Sequence, residues 1–226
     1  MKVVIIAAGD QTRWGNYLNI SKHMIKLIDE EPIIHRTIRL ASKYTSDITV
    51  VAKDNQYTNE YSSIYIPELN PNNLDADKFL SSRQLWHDQK RTVIIYGDCF
   101  FTEEAMDKIM TYEKDPWTFF FRFGPSKITG CEYGENFAIS FVPECHDLFE
   151  SSLHQVVKLN QEERVWRSGG WETYRVMSGA KTPEAVGYHG LYRNYVEIND
   201  WTEDFDLPED YDNWMKNWQD AGSPSL

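Results

Sequence analysis

Apolar and polar positions fall into short blocks with two different periods. Val3 to Ala8 is an uninterrupted apolar run rich in β-branched residues, and Lys2 to Ala8 has the pattern of a strand covered on both faces. Ile33 to Ala41 carries apolar residues at 33, 34, 38, 40 and 41 and predicts an amphipathic helix. Asp47 to Ala52 and Ser63 to Ile66 predict two more strands, and the turn-rich stretch 67–77 a loop. Lys78 to His87 predicts a helix, and Thr92 to Tyr96 a buried strand that Gly97 and Asp98 end. Thr102 opens a helix with Glu103 and Glu104 in its first turn, where carboxylates favour the positive helix end.

Strand and helix thus alternate over the first 115 residues, which implies a parallel sheet with helices on both faces. Beyond it the order blurs. Strands are predicted over 117–123 and from Asn136 to Val142, and helices from His146 to Gln161 and from Asp206 to Trp218. In the last of these Tyr211, Trp214, Met215 and Trp218 form one apolar stripe, expected to be core or a dimer surface. The final AGSPSL predicts a frayed tail. Neither a repeat nor a linker divides the chain, so one α/β domain over 1–226 is expected.

Composition narrows the class. The 226 residues are 41% hydrophobic, enough for a proper core, and no apolar run reaches the ~18 residues of a membrane span. The N-terminus lacks the pattern of a secretory signal, and Cys99, Cys131 and Cys145 are too few and too far apart for a disulfide framework or a C-x-x-C metal site. A cytoplasmic, membrane-free location with reduced thiols is expected. The net charge of −12 argues against a nucleic-acid partner, yet leaves room for a phosphorylated small molecule held by a few local cations.

In open parallel sheets ligands sit outside the carboxyl ends of the strands, which draws attention to the segments after Ala8 and after Tyr96. Gly9 permits a sharp turn and a close backbone approach, and exposed N–H groups there can form an anion nest. Arg13 and Lys22 add a planar fork and a point charge. The loop is neither G-x-x-x-x-G-K-[ST] nor G-x-G-x-x-G. Asp98, at a strand end on the ligand edge, reads as a metal ligand. Asp206 fits a helix N-cap with Glu209 as capping-box partner, inside a run of seven carboxylates between 200 and 212.

In combination, strand–AAG–three residues–Arg–Trp–Gly, then Ser21-Lys22-His23, then EEPIIHRTI, resembles the nucleotidyltransferase family of the GT-A-like fold. TVIIYGDCFF and WTEDFDLPEDYDNW resemble its strand–G-D segment and its closing acidic segment, so the likeness spans residues 3 to 214. Three positions depart from the motif: Gln11 stands for the second glycine, Ser21 for the proline before the lysine, and Glu30 for the glycine of G-x-P.

The resemblance implies a mixed, mostly parallel Rossmann-like sheet. It also implies a reaction that joins a nucleoside triphosphate to a phosphorylated acceptor, often a sugar phosphate, and releases pyrophosphate. Ala7, Ala8, Gly9, Asp10, Gln11, Thr12, Arg13, Lys22 and Gly97 would bind nucleotide, with Arg13 and Lys22 catalytic. Asp98 and Asp206 would hold Mg2+ (or Mn2+), with Asp204 in reserve on the same side of an extended segment. Two such carboxylates repel, so one of the pair is expected to have a raised pKa without metal.

Residues 1–115 would form the nucleotide half, 116–219 the acceptor half and closing helix, and 220–226 the tail. For the acceptor, Arg167 or Arg175 in WRSGGWETYRVMSG, and Glu135 or Glu132 in GCEYGENF, are candidates beside a plain reading as turn and loop residues. A glycosyltransferase of the related fold, working on a nucleotide sugar, and a non-catalytic nucleotide-binding domain remain alternatives.

Overall fold

The computed structural model describes residues 1–68, 75–187 and 190–222. Residues 69–74 of the predicted loop and 223–226 of the predicted tail lie outside the described residues. Four strands are parallel: β1 (Lys2–Ala7), β2 (Ile48–Ala52), β3 (Ser63–Tyr65) and β4 (Thr92–Tyr96). β1 pairs with β2 on one edge, Val3 opposite Ile48, and with β4 on the other, Val3 opposite Val93. The strand order therefore reverses at β1, and a crevice opens at its carboxyl end.

Alternate residues of β1 enter different cores, as a strand with period two requires. Val3, Ile5 and Ala7 join one cluster with Ile34 and Ile38 of α1 (Ile33–Ser42). Val4 and Ile6 join the other, with Phe79 of α2 (Asp75–Ser81). Helices thus cover both faces. The predicted helix over 78–87 is instead α2, starting earlier, followed by a single 3-10 turn at Arg83–Leu85. A buried hydroxyl explains the break: Ser82 bonds the Phe79 carbonyl and accepts from the Trp86 indole, fixing a turn where the helix would have continued.

The two-residue strand β5 (Cys99–Phe100) leads into α3 (Glu103–Thr111), which Thr102 caps through the Ala105 N–H. β6 (Trp117–Arg122) and β7 (Glu135–Phe141) follow; β7 is antiparallel to both β4 and β6. α4 (His146–Gln161), α5 (Gly170–Met177) and α6 (Pro183–Gly187) come next, and β8 (Tyr195–Glu197) adds a parallel edge to β6. The sheet order is β3-β2-β1-β4-β7-β6-β8: mixed and mostly parallel.

A separate ribbon pairs β5 with β9 (Glu203–Asp204), Cys99 opposite Asp204. It brings two segments a hundred residues apart to one sheet edge. Arg122, at the end of β6, secures it by a buried 2.6 Å ion pair with Glu203. α7 (Pro208–Asp220) then closes over a third cluster of Trp14, Ile25, Phe100, Phe205, Trp214 and Trp218, so its aromatic stripe is core.

Candidate active site

A cleft of about 830 Å3 opens at the carboxyl ends of β1 and β4. Of the predicted residues it is lined by Gly9, Asp10, Gln11, Thr12, Arg13, Lys22, Asp98, Glu132, Glu135, Arg167, Asp204 and Asp206. Ala7 and Ala8 lie behind it, buried in the two cores. Gly97 is there for packing: its N–H bonds the Ile6 carbonyl at 2.9 Å, and a Cβ would come within 2.9 Å of that same oxygen.

Lys22 is the hub. The turn Ser21–Ile25 that carries it starts with the Ser21 hydroxyl accepting from the His23 N–H. Its Nζ lies 2.6 Å from Asp98 Oδ2 and 3.1 Å from Asp206 Oδ1, while Arg13 Nη2 lies 2.6 Å from Asp206 Oδ2. The two cations and two aspartates singled out in the sequence therefore meet at one point. Lys22 is buried, whereas the Arg13 side chain is 61% exposed. The point charge that the sequence places after the first strand is thus an interior ion-pair partner.

Burial works against the Lys22 charge, but Asp98, Asp204 and Asp206 outweigh it and hold the ammonium well above the ordinary lysine range. Burial would also raise Asp98; Lys22, with help from His23, reverses this and holds the carboxyl at about 2. The carboxyl that is pushed well up is Asp204, by burial and then by Asp206 and Asp98. For Asp98 this reverses the expected direction: the lysine beside it holds the carboxyl down, and Asp204 bears the repulsion. Asp204 Oδ1 is buried with no hydrogen-bond partner among the described residues. One ligand atom each from Asp98, Cys99 and Asp204 lies within 4.8 Å of the others. Burial drives the Cys99 thiol well up, so it stays protonated.

Asp206 is not the cap of α7. Leu207 holds that position, and the Asp210 carboxylate accepts from the N–H groups of Asp206 and Leu207 at 3.1 and 2.8 Å. The capping partner is Asp210, not Glu209, which leaves the Asp206 side chain wholly to Arg13 and Lys22.

The opposite wall is aromatic and acidic: Phe123, Tyr133, Trp166, Trp171, Glu132 and Glu135. Burial, then Asp206, push Glu135 up to about 8. Arg167 borders this wall, but Arg175 does not. Arg175 is fully buried and donates to the Val186 carbonyl at 2.8 Å, tying α5 to α6. Of the two arginines proposed for an acceptor, one faces the cleft and the other holds the fold.

Sequence reasoning passed over Lys78. Its Nζ would stand 3.6 Å from a Cβ on Gly9, and it pairs with Asp75 at 2.7 Å, so a third cation borders the opening loop. No motif marks it: Lys78 lies within α2, and only the packing of that helix beside the opening loop brings it there.

No family model and no curated protein matches the sequence. Solved structures do match in shape. A UDP-glucose pyrophosphorylase complexed with UDP-glucose superposes with a TM-score of 0.65 at 11% identity, covering 97% of this chain and 98% of that one. A Bacillus anthracis chain assigned as a glucose-1-phosphate thymidylyltransferase gives 0.61 at 13% identity over 97% and 96%. The CTP:phosphocholine cytidylyltransferase of Streptococcus pneumoniae gives 0.53 at 12% identity over 96% and 98%. Over nearly its whole length, then, this chain has the Rossmann-like GT-A fold of the nucleotidyltransferases.

Proposed function

We propose that this chain is a metal-dependent nucleotidyltransferase that joins a nucleoside triphosphate to a phosphorylated acceptor, a sugar phosphate in the first instance, and releases pyrophosphate. The observation that carries the reading is the meeting of Arg13 and Lys22 with Asp98 and Asp206 at the sheet's ligand edge. Residues 1–115 would form the nucleotide side and 116–219 the acceptor side.

The residues present fit a divalent cation. Asp98 and Asp206 converge on one positive charge, and Asp204 offers a buried oxygen without a partner. An all-oxygen donor set suits Mg2+ or Mn2+. Asp98 and Asp206 would hold it, with Asp204 next in line, and when bound it would neutralise charge on the phosphates.

The chain's own groups do the rest. Backbone N–H groups from Gly9 to Thr12 and the exposed Arg13 fork would bind the β- and γ-phosphates. Lys22 would turn from the carboxylates to the α-phosphate or the acceptor phosphate. An acceptor phosphate oxygen then forms a bond to the α-phosphorus as the bond to pyrophosphate breaks. That oxygen is already anionic at neutral pH, so no general base is required, and catalysis rests on positioning and charge. Arg167 and Glu135 would orient the acceptor from the opposite wall.

Incubating the protein with each of the four triphosphates, a panel of sugar phosphates and Mg2+, with pyrophosphate detection, tests this. Release that needs both substrates and vanishes in Asp98→Asn is the expected result. Turnover of nucleotide sugars alone would make it a glycosyltransferase, and binding without turnover a nucleotide-binding domain.

A further inference from the structure

Two of the three motif departures are joined to each other. Gln11 Oε1 accepts from the Lys22 backbone N–H at 2.7 Å, and Gln11 Nε2 donates to Tyr57 Oη at 3.3 Å. Tyr57 Oη in turn donates to Ser21 Oγ at 2.9 Å. Ser21 Oγ accepts from the His23 N–H at 3.3 Å, and the His23 ring lies 5.0 Å from that of Tyr57. Tyr57 is buried and comes from the short turn Asn55–Tyr57 after β2. The three side chains therefore enclose the turn that carries Lys22, each bonded to the next.

We infer that Gln11 and Tyr57 are positioning residues for Lys22, and that Gln11 does not read the nucleotide. The inference rests on the proposed reaction for its kinetic consequence, though not for its geometry. A glycine at 11 has no amide to hold the Lys22 N–H, and a proline at 21 has no hydroxyl to meet Tyr57. Where the resembled motif uses backbone freedom and a rigid ring, this chain uses a side-chain brace. Both ends of the Gln11 amide are engaged in it, so turning the amide toward a base or a phosphate would break the brace. The brace acts on the main chain of Lys22, so it holds the base of the side chain in place while the ammonium passes from Asp98 and Asp206 to a phosphate. A displacement on the order of 1 Å at such a group costs up to about 100-fold in rate.

The test is steady-state kinetics on Gln11→Ala, Tyr57→Phe and their double variant, each also made in a Lys22→Ala background. Gln11→Ala should lower kcat by about 10-fold or more, with KM for the triphosphate within about 3-fold. The double variant should be little worse than Gln11→Ala, because the two residues act as one unit. In the Lys22→Ala background Gln11→Ala should change nothing further. A full additional loss in that background, or a raised KM with unchanged kcat, overturns the inference; the second result would make Gln11 a nucleotide contact.

Lysine 15Nζ NMR of the folded variants gives a readout without turnover. Gln11→Ala and Tyr57→Phe should each move the Lys22 resonance, and an unmoved resonance overturns the inference. If the native protein turns over no triphosphate, the proposed function fails by itself, and the NMR arm still decides the brace.

Discussion

The two walls of the cleft are built on opposite plans. On the β1 side the polar groups that matter are bonded to one another: Arg13 to Asp206, Lys22 to Asp98 and Asp206, and Gln11 to the Lys22 backbone. On the β7 side large side chains stand open, Trp166 at 91% exposure and Tyr133 at 62%, around a carboxyl that burial has driven to about 8. The first wall is preorganised and compensated, so a ligand's charge must replace an existing partner. The second leaves large aromatic side chains open, so a ligand can add contacts to them without displacing an ion pair. Under the proposed reaction, catalysis by positioning would use the first plan, and binding of an acceptor would use the second.

Breaking the first wall should give the largest effect. Lys22→Ala removes the cation that compensates Asp98, Asp206 and Asp204. Turnover should fall by about 100-fold or more, as on loss of one preorganised electrostatic donor. Stability without metal should also fall, by about 1–3 kcal/mol, because the largely buried Asp98 loses its partner while Asp206 keeps Arg13. Mg2+ should restore much of that loss by linkage. Thermal melts with and without Mg2+ check this: a small drop that Mg2+ does not reverse would show that the carboxylates do not depend on Lys22.

The second wall should answer to pH instead. Glu135 has a folded pKa near 8, above its unfolded value, so the native state binds its proton more tightly. Its contribution is therefore greatest at acid pH and declines as pH rises from about 4.3 toward 8. Asp98 has the opposite sign: held at about 2, it stabilises above its unfolded pKa of about 3.9 and loses that contribution as pH falls toward 2. Metal-free Glu135→Gln should thus melt higher than the native protein at pH 8 and nearly level with it at pH 4. Parallel melting curves for the two proteins across that range would remove Glu135 as the source.

The smallest effect concerns the third motif departure, on the approach to α1. Glu30 takes φ of 56°, a left-handed conformation that suits glycine, and its side chain is 90% exposed with only a 3.9 Å contact to Lys26. Glu30→Gly should relieve that strain and leave turnover unchanged. Stability should rise by at most about 1 kcal/mol, since the freer unfolded chain offsets part of the gain. Urea titration reads it, and a destabilised variant would mean that the Lys26 contact outweighs the strain.

Much of this architecture is legible in the sequence. The apolar runs of β1, β2 and β4 and the helix His146–Gln161 appear where their periodicity places them, because each is long enough for local pattern to decide. The ribbon of β5 and β9 is not readable: each strand is two residues long and gains its identity from a partner a hundred residues away. The site divides in the same way. Arg13, Lys22, Asp98 and Asp206 stand out by their place after strands and by motif. Arg167 and Arg175 look alike in the chain, and packing alone sends one to the cleft and the other to the Val186 carbonyl.

By itself the sequence determined the alternation of strands and helices and the turn at Gly9, since these depend on side-chain pattern and backbone freedom within a few residues; Arg13, Lys22, Asp98 and Asp206 it marked as a set through the family resemblance. Tertiary structure alone decided that Lys22 is buried, that it compensates Asp98 and Asp206 and leaves Asp204 raised, and that Gln11, Tyr57 and Ser21 close around it. The reason is physical: desolvation and charge coupling act over a few ångströms of space, and the fold, not the spacing along the chain, sets which groups come that close.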